Sequence, residues 1–66
     1  MNIELRFLQK AIEDKNYISF SYDKENIRKV TPFELLAKEE IYYLKIPNRV
    51  LEFKKITKLQ ILKERF

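Results

Sequence analysis

The stretch RKVTPFELLAKEEIYYLKI, residues 28–46, decides how the rest of the chain is read. A strand-like run leads into Pro32, which has no amide to donate and so belongs at a strand edge or a bulge. The expected path is one bent strand, about 27–37, that continues through Phe33, Leu35 and Ala37. Lys38-Glu39-Glu40 then forms a turn, and a further strand covers about 40–46. Neighbouring residues on a strand point to opposite faces, so Tyr42 and Tyr43 cannot both lie in a core. Tyr42 is expected to be the packed ring, and Tyr43 to look outward on the face of Arg28.

Before this stretch the apolar period is that of a helix. Leu5, Leu8 and Ile12 fall on one face, widened by Phe7 and Ala11, with Asn2 as a candidate cap and Glu4 in the first turn. A helix over about 2–15 follows, with Asn16 suited to a left-handed C-terminal position. The period then changes to two. In YISFSY, about 17–22, Ile18, Phe20 and Tyr22 share one face while Ser19 and Ser21 take the other. Asp23 to Asn26 reads as a hairpin loop.

Beyond the central stretch, strands are expected over about 49–54 and 59–66, with a short turn at Ile56-Thr57-Lys58. The chain has no glycine, so its turns are expected to be longer loops or type I turns. Residues 1–66 form a single domain of mainly β, α+β character. An N-terminal helix precedes five antiparallel strands in a small, strongly bent sheet or half-open barrel. Phe33, Leu35, Leu44, Ile46, Leu51, Phe53 and Ile56 are the expected core.

Composition narrows the chemistry. There is no cysteine and no histidine, which removes disulfides, Cys/His metal sites and the usual catalytic triads. Without glycine there is no phosphate-cradling loop of the dinucleotide or P-loop kind. The expectation is a protein without catalytic residues, bound metal or cofactor, and not an enzyme. No apolar run approaches the roughly 20 residues of a spanning helix, and no signal-peptide pattern is visible, so a cytoplasmic setting is the default. The net charge is +4 and unevenly spread. Residues 1–44 carry seven basic and eight acidic side chains, whereas residues 45–66 carry seven basic and two acidic. That asymmetry favours a polyanionic partner. The competing reading is a lysine-rich solvated surface.

Several elements, in order, resemble the WYL domain of bacterial transcription regulators. They are the Ala11-Ile12 pair on the helix, the strand ending in Tyr22, and Arg28-Lys29-Val30-Thr31-Pro32. Tyr42-Tyr43-Leu44 stands where the family carries Trp-Tyr-Leu. Arg49 through Ile56 matches a later Arg-x-Phe-x-Leu-x-Arg-Ile element, with Lys55 in place of arginine, and Phe66 ends the final strand. Lysine cannot form the two-pronged contact to phosphate that arginine makes. The resemblance implies an SH3-like or Sm-like small barrel. It also implies a DNA-binding helix-turn-helix elsewhere in the natural protein.

On that resemblance Tyr22, Arg28, Tyr43, Arg49 and Lys55 are the candidate binding residues, converging in a basic and aromatic groove. Aromatic faces stack bases while cations hold phosphates. The implied function is a ligand-sensing regulatory domain that binds single-stranded nucleic acid or a nucleotide-like anion. Each residue has a structural alternative. Tyr22 would be a core ring, Tyr43 core or edge packing, Arg28 the partner of a glutamate, and Lys55 an ordinary surface lysine. A second function is a protein-interaction module, including a homodimer, built on an exposed barrel edge.

Overall fold

The computed structural model describes residues 3–66. Asn2, the candidate cap, lies outside the described residues. Helix α1, Ile3–Asp14, buries Leu5, Leu8 and Ala11, with Ile12 packed beside them. Phe7 does not widen the buried stripe; it is 56% exposed. The helix ends on Lys15, not Asn16. Lys15 takes a left-handed φ of 61° and its amide donates to the Ile12 carbonyl at 3.3 Å.

Six strands follow: β1 Asn16–Tyr22, β2 Glu25–Val30, β3 Glu34–Lys38, β4 Ile41–Ile46, β5 Arg49–Glu52 and β6 Ile56–Arg65. A single 3₁₀ turn at Phe53–Lys55 separates β5 from β6. That turn lies three residues before the expected one, and β6 begins at Ile56 instead of 59. The expected strand 27–37 is two strands, because the chain leaves strand geometry at Thr31-Pro32-Phe33. Pro32 is fully buried at the break. Its missing amide ends the β2 ladder, and the chain resumes pairing in another sheet.

The strands form two antiparallel sheets of three, ordered β2-β1-β6 and β3-β4-β5. No ladder joins the sheets, so they are not closed into a barrel, and the five-stranded SH3-like expectation is corrected. Their inner faces meet in one core with α1, built from Leu8, Ala11, Ile18, Phe20, Ile27, Leu44, Ile46, Leu51 and Ile56. Leu35 and Phe53 are only partly buried, and Phe33, expected inside, is 49% exposed.

The turns also differ from expectation. Asp23-Lys24 joins β1 to β2 in two residues, with φ of 50° and 73°. Glu39-Glu40 joins β3 to β4 with φ of 52° and 68°. Two successive left-handed residues are the pattern of a type I′ turn, whose twist matches that of the strands. The sheet's demand for that twist overrides the preference of lysine and glutamate. Pro47-Asn48 joins β4 to β5 with only Asn48 left-handed, at φ 65°. Pro47 keeps a negative φ, so this turn follows the type II pattern.

Two further left-handed residues mark bulges on either side of β1. Ile18 faces Val30 and Phe20 faces Ile27, so Arg28 and Lys29 together oppose Ser19, with Lys29 at φ 50°. Ser19 faces Gln60 and Ser21 faces Thr57, so Lys58 and Leu59 oppose Phe20, with Lys58 at φ 54°. An extra residue of this kind bends and coils a strand. Inward residues are consequently three apart on both flanks: Ile27 and Val30 on β2, Ile56 and Leu59 on β6.

A non-glycine residue in the left-handed region costs on the order of 1 kcal/mol. Glycine at the second turn position removes that cost. Lys24→Gly or Glu40→Gly is expected to gain about 1 kcal/mol, raising the melting temperature by roughly 4–8 °C in a domain of this size. Thermal unfolding followed by circular dichroism measures it. An unchanged or lowered midpoint would refute the turn assignment.

Candidate anion-binding face

Four of the five expected residues fall around β5, and two of them have their charge matched there. The Tyr22 ring packs against the core, and its hydroxyl accepts a hydrogen bond from the Glu52 amide at 3.1 Å. Arg49 lies over that ring, 5.7 Å from its centroid, and its guanidinium donates to a Glu25 carboxylate oxygen at 3.1 Å. Lys55 pairs with Glu52 at 3.7 Å, and Lys54 sits 4.0 Å from the same carboxylate. Tyr43 opposes Glu52 across the β4–β5 ladder and is half-buried. Tyr22–Glu52 and Arg49–Glu25 make a structural seam between β5 and the β1–β2 hairpin, and Arg49 and Lys55 are both exposed and both in ion pairs there.

Arg28 is elsewhere. It stands on the outer face of β2-β1-β6, away from Tyr43. The parity of Tyr42 and Tyr43 is as expected, since Tyr42 shares its face with buried Leu44 and Ile46. The packing is not: Tyr42, expected to be the packed ring, is 45% exposed, and Tyr43, expected to look outward, is the more buried of the two.

The outer face around Arg28 has a consistent polarity. A shallow cleft of about 300 Å³ is lined by the polar residues Ser19, Ser21, Asn26, Arg28, Lys58 and Gln60, together with Phe20 and Ile27. No acidic residue lines it, and neither Arg28 nor Lys58 is in an ion pair among the described residues. The hydrogen bonds within the cleft turn donors outward. The Lys29 amide donates to Ser19 Oγ at 3.0 Å, which leaves the Ser19 hydroxyl proton to donate. Ser21 Oγ donates to Asn26 Oδ1 at 3.0 Å, which leaves the Asn26 NH₂ group facing out. Hydroxyl, amide, guanidinium and ammonium donors thus converge on one surface.

Along the same parity of β1 lies Tyr17. Its ring meets Phe66 edge-on at 5.6 Å, and Lys29 Nζ is 5.4 Å from its centroid. Serines at alternate positions of β1 were visible in the sequence. Lys58, Gln60, Tyr17 and Phe66 were not tied to them, because a strict period of two ignores the bulges that bring Arg28 and Lys58 to either side of the serines. Among the described residues no group of carboxylates is arranged to hold a metal ion. No described helix is long and apolar enough to cross a membrane.

The seam and the face respond differently to substitution. Tyr22→Phe removes the acceptor of the half-buried Glu52 amide and is expected to cost about 1–3 kcal/mol, read as a lower denaturation midpoint. Arg28→Ala is expected to leave the midpoint within about 0.5 kcal/mol. Equal losses from the two would contradict the division drawn here. No protein-family model, no curated protein and no solved structure matches the chain.

Proposed function

We propose that the chain is a binding module, not an enzyme, and that its ligand is single-stranded nucleic acid or a nucleotide-like anion. The supporting observation is the donor-rich, acid-free surface between Arg28 and Lys58. Phosphate oxygens accept hydrogen bonds and carry negative charge, and the polar residues of this cleft bring donors and cations, and no carboxylate, to a ligand of that kind. Tyr17 and Phe66, on the flank beside Lys29, supply aromatic surface on which a base stacks. Of the residues expected from sequence, Arg28 belongs to this surface and Tyr22, Tyr43, Arg49 and Lys55 do not. The ordered motifs that resemble a WYL domain support the wider role of a ligand-sensing domain in a bacterial transcription regulator, working beside a helix-turn-helix.

The test is titration of a short single-stranded oligonucleotide at several salt concentrations. Each cation that contacts phosphate adds roughly 0.7 to the slope of log K against log salt for single strands. Arg28→Ala and Lys58→Ala are expected to weaken binding and to lower that slope by somewhat less than one each. Arg49→Ala is expected to leave the slope unchanged, because its guanidinium already serves Glu25. Binding that ignores Arg28 and Lys58 but falls with Arg49 would move the site to the β5 seam.

A further inference from the structure

Among the described residues four strands lie at the edge of a sheet: β2, β6, β3 and β5. Three are protected. A bulge with a left-handed lysine interrupts β2 at Lys29 and β6 at Lys58, the device by which edges avoid adding strands. β5 is four residues long, its Glu52 amide is taken by Tyr22, and its Arg49 and Glu52 are already in ion pairs. β3 differs. Its five residues pair with β4 without a shift of register, and none has a positive φ.

Among the described residues no strand pairs with the outer edge of β3. A cleft of about 480 Å³ is walled by Leu5, Gln9 and neighbouring residues of α1 on one side and by Leu35, Leu36, Ala37 and, on β4, Tyr42 on the other. Leu35, Ala37 and Tyr42 share the inner face of the sheet, so the cleft lies between that face and α1 and reaches the β3 edge at Leu36. Leu36 is 40% exposed there.

The sequence of β3, Glu34-Leu35-Leu36-Ala37-Lys38, is complementary to itself when reversed. We propose that β3 pairs with β3 of a second copy, antiparallel about a two-fold axis at Leu36. Glu34 then opposes Lys38 of the partner subunit twice, Leu35 opposes Ala37, and Leu36 meets its own counterpart. Neither Glu34 nor Lys38 is in an ion pair among the described residues, so both charges are available. The pairing is isologous, as a two-fold contact requires. It joins two three-stranded sheets into one of six, with Leu36 and Tyr43 of both copies in a row across its outer face. The same operation on β2 or β6 has no such match, since Arg28 and Lys29, or Lys58, Lys63 and Arg65, bring excess positive charge to both sides. The contact is small against the roughly 1,200–2,000 Å² of a stable interface, so the dimer is a weak, reversible one. This inference does not depend on the anion-binding proposal.

Sedimentation equilibrium of the full chain from micromolar to millimolar concentration tests it, without nucleic acid. The unaltered protein is expected to show a monomer–dimer equilibrium. Glu34→Lys and Lys38→Glu each turn two attractive cross-strand pairs into repulsive ones, and each is expected to weaken the dimer roughly tenfold or more. The decisive arm mixes the two variants. Each then supplies what the other lacks, and a heterodimer is expected to form with about the unaltered affinity. Recovery on mixing also shows that the variants are folded. An unaltered chain that stays monomeric at millimolar concentration overturns the proposal. So does a dimer indifferent to both variants, or a mixture that remains monomeric. A monomer that instead takes up unrelated extended peptides along β3 would assign the edge to another partner.

Discussion

Strand β1 is bonded on both sides, and each neighbour carries more residues than the ladder needs, one on β2 and, on β6, one at Lys58 and further ones between Ile61 and Arg65. The rest of the structure depends on that mismatch. Each extra residue coils the first sheet, so that it wraps toward the second sheet and the helix around a core only a few side chains deep. It also changes what the outside looks like. On β2 and β6 the inward residues are three apart, so two polar residues stand together between them. On β2 both of the pair, Arg28 and Lys29, are cations, and on β6 one is, Lys58 beside Thr57. Coiling the sheet and concentrating positive charge on its back are therefore one structural event. The Ser19 hydroxyl links them, since it accepts the amide of the bulged Lys29.

The two groups of cations show why type and spacing do not identify a binding residue. Arg49 and Lys55 each sit beside a glutamate, Arg49 with Glu25 of the β1–β2 hairpin and Lys55 with Glu52 three residues before it. Neither Arg28 nor Lys58 is in an ion pair among the described residues. What separates structural from available charge is the neighbouring strand, and neighbouring strands come from distant parts of the chain. Glu25 reaches Arg49 only because two sheets fold together.

The sequence made much of the fold legible. The helix, the switch from period 3.6 to two, and the hairpin junctions near residues 23, 39 and 47 follow from local pattern. The division at Pro32 was visible as a bend, but its depth was not. A proline can bend a strand or end it, and burial of the ring between two sheets decided for the second. The turns resisted because propensity argues against lysine and glutamate in left-handed backbone, while hairpin twist requires it. Sheet geometry prevailed at Lys24, Glu39 and Glu40. The bulges were illegible for a related reason: apolar residues three apart in a strand look like noise until their partners are known. Of the site, Arg28 and the outward serines could be found. Lys58 could not be distinguished from its neighbours Lys54, Lys55 and Lys63.

The central position of β1 also has a consequence in time. Its partner β2 is next to it in the chain and can pair early through a two-residue turn. Its other partner, β6, arrives from the far end of the described residues, with the Phe66 amide reaching back to the Lys15 carbonyl at 2.8 Å. Non-local pairing of that kind carries the larger loop-closure entropy and slows folding. Until β6 docks, the flank of β1 that carries Ile18 and Phe20 is an uncovered edge beside an apolar face. Any state of the chain that lacks β6 thus presents its central strand as an unpaired edge.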